Sequence, residues 1–187
     1  MTSQSQPTPI YDGKFCSLLK EIYGDYRTVF MNEKYYRYRL TRFRNYNLAY
    51  EIALAIGASS TIAAWSIFHD WAAGKKLWAV YSGLVALLAI LKPILQIPSQ
   101  IERYSKLHVG YKDLFYDLDQ MVDDIRAAET ITEEMLKTRA AAKKRYKDLA
   151  LQDETNVSRK LLEKCFNEVL VEKSVEDFWY PEPCKQR

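Results

Sequence analysis

Two charge-free apolar blocks stand nearly side by side in this sequence, and they constrain the fold more than any other feature. The first, Ile52 to Phe68, gains Leu48, Ala49 and Tyr50 ahead of it and approaches the ~20 residues that cross a ~30 Å hydrocarbon core. The second, Leu77 to Leu91, is extended by Pro93, Ile94, Leu95 and Ile97, with Lys92 able to snorkel toward an interface. Only HDWAAGKK separates them, too short for anything but a hairpin. Trp65, Trp71, Trp78 and Tyr81 cluster near one end of both blocks, where half-wet rings favour a membrane interface. The spacing predicts a two-pass transmembrane hairpin, with spans 48–68 and 77–97.

The average composition hides this. A mean hydropathy of -0.32 reads as a water-soluble chain, but it blends the two blocks with charged flanks. The 27 Lys plus Arg against 24 Asp plus Glu leave a formal charge of only +3. Local distribution decides orientation. Lys34, Arg37, Arg39, Arg42 and Arg44 precede the first span, and Lys92, Arg103 and Lys106 follow the second, whereas the turn holds only Lys75 and Lys76. Because cations are retained on the cytoplasmic side, both termini are expected in the cytoplasm.

Outside the hairpin the reading is helical throughout, giving an all-α fold in four parts. Residues 1–14 are Ser, Gln, Thr and Pro rich and are expected to form a flexible tail. Residues 15–47 form a basic, aromatic juxtamembrane helix, with a break expected near Gly24. The hairpin occupies 48–97, with a bend expected at Pro98. Residues 98–187 form a cytoplasmic helical region. There Ile101, Tyr104, Leu107, Tyr111, Leu114, Leu118, Met121 and Ile125 recur in threes and fours, a coiled-coil seam expected to join subunits of a homo-oligomer. Thr130 with Glu133 resembles a capping box for the next helix, and Ser158 a cap for the last.

No catalytic signature is present: no GxSxG, no phosphate loop, no HExxH, and the two histidines, His69 and His108, lie far apart. The chain is therefore not expected to be an enzyme, nor to carry a cofactor or metal. Cys16, Cys165 and Cys184 form no CxxC pair, and their odd number points to a reducing compartment rather than a disulfide framework. The run Lys34 to Tyr46 mixes cations with rings, as single-stranded nucleic-acid binders do. Its position just before a span favours an anionic leaflet instead, so Lys34, Arg37, Arg39, Arg42 and Arg44 are read as membrane-surface residues.

Within the first span, Glu51, Ala55, Ser59, Ile62, Ser66 and His69 share one side. Glu51, Ser59 and Ser66 are the candidate pore-lining groups, because intramembrane polar side chains face a bundle interior or a cavity. Ala53, Gly57 and Thr61, with Ala79 and Gly83 in the second span, form small-residue series that permit close helix packing. Two helices cannot enclose a pore alone, so conduction requires several hairpins.

From about Tyr35 to Arg126 the order of parts, KYYRYRLTRFR, the hairpin with its turn HDWAAGKK, then the helix IERYSKLHVGYKDLFYDLDQMVDDI, resembles the SLATT family. These are two-transmembrane effector domains associated with SMODS and SLOG proteins in bacterial conflict systems. The resemblance implies an antiviral effector that forms a pore or disrupts the inner membrane, held inactive until a neighbouring sensor acts. A nucleotide-signal synthase or a reverse transcriptase is the partner so implied. The alternative from the residues alone is a non-conducting membrane adaptor that docks a cytoplasmic partner through its helices.

Overall fold

The computed structural model describes residues 13–68, 72–154 and 156–185; the side chains at 58–68, 72, 73, 75, 78, 92–95, 183 and 185 lie outside the description. Among the described residues there are helices and turns and no strand, so the fold is all-α. Helix α1 spans Gly13–Phe68, α2 Ala72–Leu95, α3 Ile97–Ala128, α4 Glu133–Ala150 and α5 Arg159–Glu172. A 3-10 turn at Val175–Asp177 and the four-residue α6, Glu182–Lys185, follow.

The expected break at Gly24 does not occur. One interior glycine costs a helix about 1 kcal/mol, and Leu19, Ile22, Tyr23, Tyr26 and Val29, all buried, hold α1 together on either side of it. The bend expected at Pro98 lies at Gln96 instead, whose φ of 47° ends α2 and re-aims the chain into α3. Pro98 then falls in the first turn of α3, where its missing N–H is not needed. The Gln96 carbonyl accepts from Ser99 Oγ at 2.8 Å and from the Gln100 N–H at 3.1 Å.

The capping box is shifted from its expected place. Thr132, not Thr130, caps α4, its Oγ1 accepting from the Met135 N–H at 3.3 Å. Glu129 takes a φ of 48° and closes α3 before Thr130 is reached, so the new helix starts two residues late. Ser158 does stand at the N-cap of α5, but without a side-chain cap bond; its N–H donates to the Tyr35 hydroxyl at 3.1 Å.

The chain divides into two compact units. One comprises residues up to Tyr35 together with Leu107–Arg187; the other is Tyr36–Lys106. These units cut the chain at other places than the four parts read from the sequence. The first part of α1 does not stand apart as a juxtamembrane helix, because α3 needs an apolar partner. Leu19, Ile22, Tyr26 and Val29 supply it at spacings of three and four.

The first unit packs aromatic rings among its buried aliphatic side chains. Phe115 on α3 stacks on Tyr26 and Phe30 of α1 at 5.2 and 4.5 Å, and Tyr111 meets Tyr146 of α4 edge-on at 6.1 Å. The C-terminal tail folds back onto α1: Phe178 stacks on Tyr23 at 4.3 Å, and Tyr23 donates to the Trp179 carbonyl at 2.8 Å. A disulfide between Cys16 and Cys184, Cα atoms 5.4 Å apart, joins positions 168 residues apart in sequence. The sequence reading saw no disulfide framework, since spacing along the chain gave no sign of a pair made only when the tail returns. Cys165 is buried and takes no part in this disulfide.

Among the described residues no helix is long and apolar enough to cross a membrane.

Candidate functional site

In the second unit α2 turns one face inward and leaves the other bare. Tyr81, Val85, Leu88 and Leu91 are its less exposed positions, at helical spacing, while Leu77, Val80, Leu84, Leu87 and Ile90 are 61, 73, 54, 53 and 63% exposed. On α1, Leu48, Ile52 and Ile56 are likewise more than half exposed. Eight large apolar side chains on one hairpin are thus each more than half exposed, the kind of surface that marks a contact with a partner or a membrane.

The hairpin closes at Gly57. A Cβ there would stand 2.8 Å from both γ-methyls of Val85, so only glycine permits this approach of α1 to α2. Ala53 lies on the same half-covered side of α1. Ala79 and Gly83 do not take part: both are exposed, and nothing lies within 4 Å of where a Cβ on Gly83 would sit. At 100° per residue, Val85 is ~200° around α2 from Gly83, so the packing face is the opposite one. Of the candidate pore-lining groups, Glu51 is on the exposed side of α1. The side chains of Ser59, Ser66 and Thr61 lie outside the described residues, as do those of Trp65, Trp71 and Trp78, and His69.

The basic run divides between two environments. Arg37, Arg42 and Arg44 are exposed. Arg39 is half-buried, its guanidinium 5.2 Å from the centre of the Tyr104 ring and donating to the Tyr104 hydroxyl at 3.2 Å. Lys34 is not a membrane-surface residue. It is 3% exposed, with Nζ 2.7 Å from Glu172, 3.6 Å from Glu168 and 4.9 Å from the centre of the Phe30 ring. A buried ammonium requires such partners, and α5 supplies two carboxylates one turn apart. His108, beside it on α3, has Nδ1 3.5 Å from the Glu33 carboxylate.

The seam of α3 is likewise spent inside the chain. Tyr104, Leu107, Tyr111, Leu114, Leu118, Met121 and Ile125 are all buried within one copy, with Ile101 half-buried. The stripe is therefore an intramolecular core, not a subunit seam, because α1, α4 and the tail cover what the sequence leaves apparently free.

Against that core lies a cavity of about 380 Å³ framed by α1, α3 and α4. Val29, Leu114, Leu118 and Ala142, all buried, form its floor. Asp25, Arg139, Lys143 and Tyr146 stand around it, with Thr28 at the rim. Arg139 donates through Nε and a terminal nitrogen to Asp25 Oδ2, at 3.2 and 3.0 Å, and to Glu21 at 2.8 Å. Burial works against its charge, but the two carboxylates outweigh that and hold its pKa above the ordinary value. The same hydrogen bond and charge keep Glu21 below the usual carboxylate range. The sequence reading overlooked this site, although Arg139, Lys143 and Tyr146 share one side of α4 at spacings of four and three. Among the described residues no group of His, Cys, Asp and Glu could hold a metal ion.

Fold and surface together define the class: an all-α chain in two units, one closed around its own core and one presenting apolar side chains outward. No family model, no curated protein and no solved structure matches it.

Proposed function

We propose that the chain is a membrane effector: the hairpin of α1 and α2 spans the inner membrane with both termini cytoplasmic, and the assembled protein opens a pore or disrupts the bilayer when triggered. The observation that supports this most is the outward apolar face, Leu48, Ile52 and Ile56 on α1 with Leu77, Val80, Leu84, Leu87 and Ile90 on α2. Lipid covers such a face at no cost, whereas water does not. Exposed Arg37, Arg42 and Arg44 lie on α1 ahead of the apolar block, suited to an anionic leaflet.

The α3 seam is occupied within the chain, so oligomerisation in this reading falls to the hairpins. The polar side of the first span, with Glu51, Ser59 and Ser66, then turns to a shared path. The trigger is a cytoplasmic partner of the kind the SLATT resemblance implies, a nucleotide-signal synthase or a reverse transcriptase, acting directly or through a nucleotide or nucleic-acid signal.

The test is membrane potential, read by a voltage-sensitive dye after induction with the neighbouring genes present. Wild type is expected to depolarise cells, and Ser59→Leu and Ser66→Leu to insert normally without depolarising them, since lipid tolerates leucine well. A wild type that never depolarises cells counts against the effector and for the non-conducting adaptor. A phosphatase reporter active when fused near Gln186 would overturn the orientation.

A further inference from the structure

We propose that the cavity between α1, α3 and α4 is a binding site for a small organic anion, a compact apolar body carrying a single negatively charged group. This does not depend on the membrane reading, because every residue it uses lies in the first unit.

The floor is wholly apolar, and about 380 Å³ lies at the lower end of the range that small-molecule sites occupy. Water against Val29, Leu114, Leu118 and Ala142 finds no hydrogen-bond partner, so an apolar body that displaces it gains free energy. Tyr146 adds an aromatic wall.

The charged groups select the sign of the ligand. Asp25 is the only carboxylate of the lining, and Arg139 already binds it through two nitrogens, so a cationic ligand would find it occupied. Arg139 is committed in turn to Asp25 and to Glu21. Lys143 differs. Its Nζ stands 3.5 Å from Asp25 Oδ2, a long contact, and its side chain is 53% exposed, so the ammonium is free to turn toward a ligand. The lining thus carries two cations against one carboxylate. Glu21 lies outside it and, with Asp25, occupies Arg139, so Lys143 is the cation left to turn to a ligand. One anionic group on the ligand matches that single ammonium; several would exceed it.

The occupant would touch three helices at once. Thr28 is on α1, Leu114 and Leu118 on α3, and Ala142 and Lys143 on α4, so filling the cavity stabilises their packing against one another.

The experiment uses the full chain in lipid nanodiscs, with empty nanodiscs as the blank, and two probes of this class, 1-naphthoate and octanoate, followed by equilibrium dialysis. At least one is expected to bind saturably at one site per chain, and its neutral amide about tenfold more weakly. Lys143→Gln should lower binding of the anion to the level of the amide and leave amide binding unchanged. Thr28→Trp places a ring over the mouth from an exposed position that the core does not use, so it should abolish binding of both while leaving helical content intact. No binding of either anion above the blank overturns the proposal. Equal binding of anion and amide overturns its charge selection, and undiminished binding to Thr28→Trp shows that the probe sits elsewhere.

Discussion

Tyrosine bears much of what this chain buries, and that choice carries a pH limit. Burial, more than any neighbouring charge, pushes the hydroxyls of Tyr23, Tyr26 and Tyr180 above their ordinary pKa of 10.0, and for Tyr26 the 2.5 Å hydrogen bond to Asp119 adds to it. These groups stay protonated in the fold while the unfolded chain ionises, so their contribution to stability is whole below pH 10 and falls as pH rises beyond it. Unfolding monitored by tyrosinate absorbance should therefore become steeply easier above that pH, and Tyr26→Phe, though less stable at neutral pH, should lose less on the alkaline side. Parallel curves for the variant and wild type would remove Tyr26 from the account. Gly57 makes a different demand. Alanine there drives a methyl into both γ-methyls of Val85, overpacking worth ~1 to 3 kcal/mol. Unfolding by rising SDS in mixed micelles should show Gly57→Ala destabilised and Val85→Ala, made in the same chain, largely restoring it; a single variant as stable as wild type would mean the helices do not meet at this point.

At the scale of elements, the seam of α3 separates what sequence could tell from what it could not. The spacing from Tyr104 to Ile125 specified a buried helical face, and that face is buried. Its partner could not be read, because α1 and α3 are remote in sequence and an apolar stripe looks the same whether a second copy or the chain itself covers it. Leu114→Asp and Leu118→Asp should accordingly unfold the first unit, each costing ~2 to 5 kcal/mol of lost burial besides the buried charge, rather than release intact monomers. Folded monomers from either variant would restore the intersubunit seam. Lys34 teaches the same lesson: its basic neighbours suggested a surface, and only the return of α5 with Glu168 and Glu172 shows it enclosed. The small-residue series was legible at Gly57 and misleading at Gly83, since a helix can offer only one of its faces to a hairpin partner. The Cys16–Cys184 bond was hidden for the same reason as the seam, being a contact across 168 residues. It ties the tail to α1 and should contribute ~2 to 5 kcal/mol when formed. If the termini lie in a reducing cytoplasm, as proposed, both cysteines should be alkylated in resting cells and refractory to alkylation in air-purified protein, the oxidised form then being the more stable. A bond already complete in resting cells would place the termini in an oxidising compartment and reverse the orientation.

For the whole molecule, the two units ask for different surroundings, which a mean hydropathy of -0.32 averages away. The first encloses a core, with Leu19, Ile22, Leu107, Leu114 and Ile125 at most 1% exposed, and leaves others, Leu151, Phe166 and Val171 among them, at its surface. The second carries Leu84 and Leu87 at 54 and 53% on the bare side of α2, near the middle of the apolar block. If lipid covers that side, an arginine at either position enters hydrocarbon at ~2.5 to 3.5 kcal/mol, and two together cost enough to move the hairpin out of the bilayer. Leu84→Arg with Leu87→Arg should therefore shift the protein from the carbonate-resistant membrane pellet to the extractable fraction. Val109→Arg with Tyr116→Arg, at residues 51 and 56% exposed on α3 in the first unit, should leave the pellet unchanged, because those positions already face water. The comparison separates burial in lipid from a general penalty for adding charge. Equal loss from both pairs would point to misfolding, and a pellet unaltered by the α2 pair would mean that protein, not lipid, covers the hairpin.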